Sequence, residues 1–200
     1  MKIKLWSIQY VDKLAIIKSK GKLTCLSNLY SPEWDNEYKW MINQMEKRIG
    51  RSETQNQYPI WAWYQFEGVD KMKPDLRRKG LLPTGIDGIR IEFEKKINEV
   101  LLSDFVLWHF PLSYKSIIAE SEIQEHKFEQ KLEQLQLAHL KIEDMPKEIQ
   151  DEIINSWEKI FDINFEDPYY TNKKNEKMIQ ACCWDIKESE IVKIEKFTAR

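Results

Sequence analysis

The chain has 200 residues, of which 42% are hydrophobic and 12% are aromatic. This length predicts one compact domain with room for an added helical lobe, and this composition excludes a disordered chain. The 31 Lys and Arg residues against 33 Asp and Glu residues give a formal net charge of −2, which argues against a general binder of duplex DNA, because such binding depends on neutralising many phosphates.

The first predicted elements are a strand and two helices. Residues 3–9 are typical of a short strand, and the apolar residues that follow repeat at helical spacing until Gly21 ends the helix. Ser31 and Pro32 fit the cap and the first position of a second helix, which we expect to end at Gly50. Its apolar face consists of Trp34, Tyr38, Met41, Ile42, Met45 and Ile49.

A strand with two apolar faces is predicted within residues 58–66. Trp61 and Trp63 lie on one face, because successive side chains of a strand alternate. The other face holds Ile60, Ala62, Tyr64 and Phe66. Since neither face suits water, we expect a central strand. Residues 67–88 then contain four of the six glycines, which predicts a long irregular loop of the kind that carries function.

Further extended runs are predicted before the chain changes character. Ile89, Ile91 and Phe93 alternate with charged residues, as in a half-buried strand, and residues 98–110 are typical of another extended run. Residues 113–162 are rich in Glu, Gln, Lys and Leu and hold two helical patterns. We therefore expect a mainly helical insertion over 113–162.

Strands return near the end of the sequence. Residues 177–187 predict a strand, and residues 191–197 return the chain to the sheet or end it as a short edge element. Strands at both ends and in the middle, separated by unequal helices, predict a single α+β domain over residues 1–200 with a mixed or split β-sheet. Neither of the common glycine-rich phosphate-binding motifs occurs, so dinucleotide and P-loop sites lose their usual signal.

Cysteine usage and apolar runs bear on the compartment. Cys182 and Cys183 would point to opposite faces of a strand, so with Cys25 they indicate neither a disulfide framework nor a zinc site. The first residues lack an uninterrupted apolar segment followed by a small-residue cleavage site, and no run of about 18 apolar residues occurs. We expect a cytoplasmic protein with no membrane partner.

Several tryptophan-containing motifs occur in an order that resembles one bacterial family. They are LWSIQ (5–9), YKWM (38–41), YPIWAWY (58–64), KPDLR (73–77), LLSDFVLWH (101–109), SWEKIFD (156–162) and IQACCWDI (179–186). Together they resemble the "domain of unknown function 3841" family over nearly the whole chain. This resemblance implies no particular activity.

The predicted layout is also similar to that of ADP-ribosyltransferases, including toxins that modify DNA. This resemblance implies NAD as a substrate, no metal, and a toxin or phage-defence setting. Cleavage of the nicotinamide–ribose bond passes through an oxocarbenium-like centre. Such a centre favours aromatic surfaces for nicotinamide, polar groups for the ribose and a carboxylate near the developing positive charge.

The sequence offers candidates for ligand binding on two strands and in the glycine-rich loop. Gln9 could contact a ribose, and tryptophan rings could form a platform, although strand tryptophans are more often core residues. Arg77 could bind a phosphate with Asp75 orienting it, although a solvated charge or a structural Asp–Arg pair fits equally well. The candidate ligand-binding residues are Trp6, Gln9, Trp63, Tyr64, Lys73, Asp75 and Arg77.

Three residues are candidates for catalysis: Asp104, His109 and Gln180. Asp104 could act as an acid or base or hold the imidazole of His109, although such a residue more often caps the end of a strand. Gln180 opens the Gln-Ala pair that the transferase resemblance places on the last strand.

That strand departs from the transferase pattern. Cys182 stands where the toxins have a glutamate, and Asp185 is three residues further on and so on the opposite face. Either another acid serves, such as Asp104 or Glu176, or the chain does not perform the reaction. A nucleophilic Cys182 is a further alternative, but a buried apolar thiol fits better because no clear histidine partner is present.

Two functions from different classes follow. The first is a nucleotide-dependent group-transfer enzyme of ADP-ribosyltransferase-like layout, with a protein or nucleic-acid target that the sequence does not identify. The second is a noncatalytic ligand- or protein-binding module that uses the same aromatic pocket. A single-stranded nucleic-acid binder would need a basic groove, which the near-neutral charge does not indicate. The shared-site hypothesis requires one cavity bordered by Gln9, Trp63, Arg77, Asp104, His109 and Gln180.

Overall fold

The structure, a computed structural model, describes residues 1–26, 35–114 and 116–200. The chain divides into two compact units, which are Met1–Leu102 with Met178–Arg200, and Ser103–Lys177. The predicted helical insertion, 113–162, falls inside the second unit. The predicted helix start at Ser31 and Pro32, together with Trp34, lies outside the described residues.

Within the described residues, nine strands make up two sheets. Their bounds are β1 Lys2–Tyr10, β2 Lys22–Leu26, β3 Gln57–Tyr58, β4 Ile60–Gln65, β5 Asp87–Lys96, β6 Leu101–Asp104, β7 Ile179–Cys183, β8 Asp185–Lys187 and β9 Ile191–Thr198. The larger sheet has the order β6-β7-β4-β1-β5-β9, and the smaller one the order β3-β2-β8. The pairs β7–β4, β4–β1, β1–β5 and β5–β9 are all antiparallel. The predicted α+β class is therefore confirmed, and β4 is a central strand as expected.

One face of the larger sheet carries the core of the first unit. Leu5 lies directly opposite Phe93, and Gln9 lies opposite Ile89, so alternate residues of β1 and β5 share this face. The cluster consists of Leu5, Ile17, Leu23, Ile60, Ala62, Ile89, Ile91, Phe93, Val100, Ala181, Cys183 and Ile186. The predicted alternation of Ile89, Ile91 and Phe93 is confirmed. The opposite face is also partly covered, since Arg90, which lies opposite Ile8 and not on the core face, is buried.

Two helices follow the predicted pattern in this unit. Helix α1 spans Lys13–Lys20 and ends at Gly21, whose φ of 68° is the left-handed conformation that glycine adopts most readily. The Gly21 N–H donates to the Ile17 carbonyl at 2.8 Å. Helix α2 spans Asp35–Ile49 and is followed by Gly50 with φ 89°. Both predicted C-terminal glycine stops are confirmed.

The second unit is mainly helical. It contains α3 Phe105–His109, a π-helical turn Phe110–Tyr114, α4 Glu122–Gln134, α5 Lys147–Ser156 and a 3₁₀ turn Trp157–Phe161. The two predicted helical patterns correspond to α4 and α5. Phe128 of α4 and Ile153 of α5 are buried, whereas Leu135 lies just beyond α4 and is exposed. None of the helices in the described part of the chain combines the length and apolar character needed to span a bilayer.

Two predicted strands are wrong in part. The extended run predicted over 98–110 ends at Asp104, because the Asp104 carboxylate accepts hydrogen bonds from the Val106 and Leu107 N–H groups and starts α3. The strand predicted over 177–187 is divided at Trp184 into β7 and β8, which belong to different sheets. The Trp184 indole donates to the Gly50 carbonyl at 2.8 Å, and the Trp184 carbonyl accepts from the Gln57 side chain.

A buried ion pair joins the two ends of the second unit. The Lys177 ammonium lies 2.6 Å from Asp104 Oδ2, and both side chains are fully buried. Thr171 Oγ1 donates to the same oxygen at 2.6 Å. Asp104 follows the first residue of the unit and Lys177 is its last, so this pair closes the unit where the chain enters and leaves it.

We expect Lys177→Met to lower the free energy of unfolding by about 3–5 kcal/mol, because it leaves a buried carboxylate without its cation. The double variant Asp104→Asn with Lys177→Met removes both charges and should recover much of this loss. Urea denaturation of wild type and both variants measures these values. If Lys177→Met is as stable as wild type, the ion pair contributes nothing to the fold.

Candidate functional site

Five residues form a line across the face of the larger sheet opposite the core. Cα partners in neighbouring strands are Gln180 with Trp63, Trp63 with Trp6, Trp6 with Glu92, and Glu92 with Lys193. Directly opposed residues share a face, so all five side chains project to the same side. We call this line the Trp row. It runs through β7, β4, β1, β5 and β9.

Trp6, at the centre of the Trp row, is hydrogen bonded to the neighbouring carboxylate of Glu92. Trp6 Nε1 donates to Glu92 Oε2 at 3.1 Å, and Lys4 Nζ lies 3.0 Å from Glu92 Oε1. Burial raises the pKa of Glu92, but the hydrogen bonds from Lys4 and Trp6 outweigh it and leave that pKa below its usual value. Glu92 is therefore ionised at neutral pH.

The loop segment 73–77 brings further charges to the same side. Arg77 donates to Asp75 through Nε at 3.0 Å and through Nη2 at 2.7 Å, which is a two-point contact. These hydrogen bonds hold the pKa of the Asp75 carboxyl well below its usual range. The pair is exposed, since the Arg77 side chain is 77% accessible. The structural Asp–Arg pair considered from the sequence is thus present.

Arg90 fixes this loop to the sheet. Its guanidinium is buried and donates from Nη1 to the Pro74 carbonyl and from Nη2 to Glu195 of β9. The hydrogen bonds from Arg90 and Lys193 lower the pKa of Glu195 to about 2. Pro74 lies between Lys73 and Asp75. By holding the Pro74 carbonyl, Arg90 therefore fixes the backbone from which the Lys73 and Asp75 side chains project.

Strands β1 and β5 and the loop that contains residues 73–77 line a cleft of about 720 Å³. It is lined by Lys4, Trp6, Glu67, Val69, Asp70, Lys71, Met72, Lys73, Asp75, Arg77 and Glu92. Four of the seven predicted ligand-binding residues, Trp6, Lys73, Asp75 and Arg77, meet here. Lys4 and Glu92 were missed, because only the register of β1 on β5 shows that they flank Trp6.

The charges of the cleft are balanced and mostly paired. Lys71 lies 3.6 Å from Glu67, in addition to the Lys4–Glu92 and Arg77–Asp75 pairs. Lys73 makes no ion pair with any residue that the structure describes. It is exposed, so its ammonium is the cation most available to an anionic ligand.

The other predicted ligand-binding residues do not line the cleft. Gln9 is three residues from Trp6 on β1 and therefore on the opposite face, where its amide donates to Ser7 Oγ at 2.8 Å. Tyr64 packs against the core cluster. Trp63 lies beside Trp6 in the Trp row. Its ring packs edge-to-face with that of Phe66, and the two ring centroids are 4.9 Å apart. Trp63 therefore lies on the predicted face of its strand, opposite the core, whereas the Gln9 side chain faces the core.

Gln180 and the two neighbouring cysteines are buried on β7. Gln180 lies beside Trp63, and its Nε2 has no hydrogen-bond partner within the described chain. Burial raises the pKa of the Cys182 thiol, and it raises that of Cys183 to about 12. Both thiols are protonated at neutral pH, which favours the buried-thiol interpretation of Cys182 over a nucleophile.

Asp104 and His109 belong to the second unit. Both Asp104 oxygens accept hydrogen bonds, from the start of α3 on one side and from Thr171 and Lys177 on the other. His109 Nδ1 lies 3.0 Å from the Phe105 carbonyl, so its own helix orients the imidazole. Among the residues described, no group of three or more His, Cys, Asp and Glu side chains is placed to hold a metal ion.

Comparison with known proteins identifies a family. A family model described as "Domain of unknown function (DUF3841)" matches residues 4–192. This range runs from β1 into β9 and includes every residue of the cleft. No curated protein and no solved structure matches the chain.

The Arg90–Glu195 pair predicts a specific acid sensitivity. Because the pKa of Glu195 is lowered on folding, the stability it contributes is present above pH 4.5 and lost as the pH falls towards 2. Glu195→Gln should be less stable than wild type at pH 7, and its stability should fall less between pH 5 and 2. Urea denaturation across this range measures both effects. Glu188 is exposed, and the control variant Glu188→Gln should show the pH dependence of wild type. If Glu195→Gln also loses as much stability between pH 5 and 2 as wild type does, Glu195 is not the source of the acid sensitivity.

Proposed function

We propose that this chain, which belongs to the domain of unknown function 3841 family, binds a nucleotide of the NAD type in the cleft between the Trp row and the loop 73–77. The observation that supports the proposal is the meeting of Trp6, Lys73, Asp75 and Arg77 in one cleft. These residues come from a strand and from a distant loop, and the buried Arg90 holds the two together.

The charge pattern of the cleft fits a ligand that carries both signs. NAD has a positively charged nicotinamide ring and two negatively charged phosphates. Lys73 and Arg77 would bind the phosphates, and Glu92 would face the positive ring. The negative charges of Asp75 and Glu92 are each offset by a hydrogen-bonded cation, which reduces their repulsion of a phosphate.

The polar groups also limit how the ring would bind. Trp6 is almost fully buried, so it offers its edge and its hydrogen bond to Glu92 rather than an open face. Ring stacking therefore contributes less here than the charged contacts do. Binding of this kind requires no chemical step, and it matches the noncatalytic module considered from the sequence.

Glu92 supports group transfer as a second candidate function. In that reaction the bond between ribose C1′ and the nicotinamide nitrogen breaks, and nicotinamide leaves with the electron pair. The acceptor forms the new bond to C1′ and loses its proton. An ionised carboxylate near C1′ stabilises the positive charge that develops there. Glu92 is ionised and lines the cleft, whereas the catalytic roles predicted for Asp104, His109 and Gln180 remain predictions.

Calorimetry with NAD, ADP-ribose and nicotinamide tests the binding proposal. We expect NAD and ADP-ribose to bind, and the variants Lys73→Ala and Arg77→Ala to weaken binding about tenfold or more, because each removes a charged contact to phosphate. Arg51→Ala, an exposed arginine outside the cleft, should bind like wild type. Absence of binding at millimolar ligand, or equal affinity of all variants, would contradict the proposal.

Release of nicotinamide from NAD, with cell extract as a source of acceptor, tests the second candidate. Glu92→Gln keeps the shape of the side chain, and we expect it to lower turnover about 100-fold or more if the carboxylate stabilises the cation. Calorimetry on the same variant separates lost binding from lost chemistry. If wild type binds NAD and releases no nicotinamide with any extract, the chain is a binding module.

A further inference from the structure

Strand β9 is a long edge. It spans Ile191–Thr198 at one end of the larger sheet, and within the described chain only β5 pairs with it. Two apolar side chains, Val192 and Ile194, are 55% and 37% exposed. A long edge with exposed apolar residues is a template for pairing with another strand.

We propose that β9 pairs antiparallel with β9 of a second copy of this chain, in the register centred on Ile194. A two-fold axis perpendicular to the sheet then passes beside Ile194 and places it opposite Ile194 of the second copy. Lys193 lies opposite Glu195 of the second copy, and Glu195 lies opposite Lys193 of the second copy. The six-stranded sheets of the two copies then form one sheet of twelve strands.

Charge along the strand selects this register. Because successive side chains alternate between faces, a symmetric antiparallel pair must be centred on a residue and not between two residues. Centres on Lys193, Glu195 or Lys196 place like charges directly opposite each other, which is destabilising. The register centred on Ile194 opposes no like charges. It spans residues 191–197, with the irregularity of β9 at Val192 near each end of the ladder.

Centres nearer the ends of the strand pair fewer residues. A centre on Val192 leaves a ladder over 191–193, and one on Phe197 leaves a ladder over 196–198. The pairing of β9 with β5 is regular from Lys193 to Thr198 and shifts between Lys193 and Ile191. The centre of the proposed ladder is therefore in the regular part of the strand.

The resulting row of charges alternates in sign across the interface. Within one chain Glu92 lies opposite Lys193, and Arg90 lies opposite Glu195. Across the two-fold axis the order becomes Glu92, Lys193, Glu195 of the second copy and Arg90 of the second copy. Lys193 Nζ is also 3.1 Å from Glu195 Oε1 in its own chain, so four charges form an alternating square at the axis.

Charge reversal at two exposed lysines of this strand tests the register. Lys193→Glu would put two glutamates opposite each other at both ends of the square, whereas Lys196→Glu faces Val192 of the second copy and meets no like charge. Both variants change the net charge equally. Ile194→Glu would place two carboxylates at the axis. Sedimentation velocity from micromolar to near-millimolar protein measures the dimer dissociation constant of wild type and each variant, and circular dichroism confirms that each is folded.

We expect wild type to form a dimer of twice the monomer mass. Lys193→Glu and Ile194→Glu should raise its dissociation constant about tenfold or more, and Lys196→Glu should change it less than about threefold. A wild type that is monomeric at every concentration would overturn the proposal. So would a dimer that Ile194→Glu leaves intact, or one that Lys196→Glu weakens as much as Lys193→Glu does.

Discussion

The buried guanidinium of Arg90 is the constraint on which the candidate site depends. A buried charged group is costly unless it is hydrogen bonded, and Arg90 donates from its two Nη atoms to the Pro74 carbonyl and the Glu195 carboxylate, whereas its Nε has no partner among the described residues. The first contact holds an irregular loop against β5. The second gives the edge strand β9 a fixed negative charge. One cation thus fixes the backbone between Lys73 and Asp75 and holds the Glu195 carboxylate at the edge of the sheet.

The alternation of side chains explains how much of this site could be predicted. Sequence patterns predicted strands at β1, β4 and β5, and the alternation within residues 58–66 put Trp63 on the face opposite Ile60 and Ala62. They could not show that Trp6 meets Glu92, since those residues are 86 positions apart and the contact depends on register between strands. For Gln9, by contrast, the alternation of side chains along β1 is sufficient. Its distance of three residues from Trp6 already places it on the other face, so its exclusion from the cleft could have been predicted.

Local hydrogen bonding explains the elements that sequence patterns missed. The apolar residues after Asp104 fit a strand or a helix equally well, and the carboxylate decides for a helix by accepting from two backbone N–H groups. An aspartate before an apolar run was therefore a usable signal. The break at Trp184 had no such signal, because it depends on Gly50 and Gln57, which are distant in sequence.

The balance of charge in the cleft bears on the choice between binding and catalysis. Glu92 is held by Lys4 and Trp6, so its charge is largely neutralised before any ligand arrives. A cationic ligand gains binding free energy from Glu92 only if Lys4 moves away, or if Glu92 contacts Lys4 and the ligand at the same time. The Lys4 side chain is nearly half exposed, so water can replace Glu92 as its partner at a small cost in free energy. The indole of Trp6 is buried, so water cannot replace Glu92 there. A bound nicotinamide ring would therefore compete with Lys4 alone, and the Trp6 hydrogen bond would keep the carboxylate aimed at the cleft.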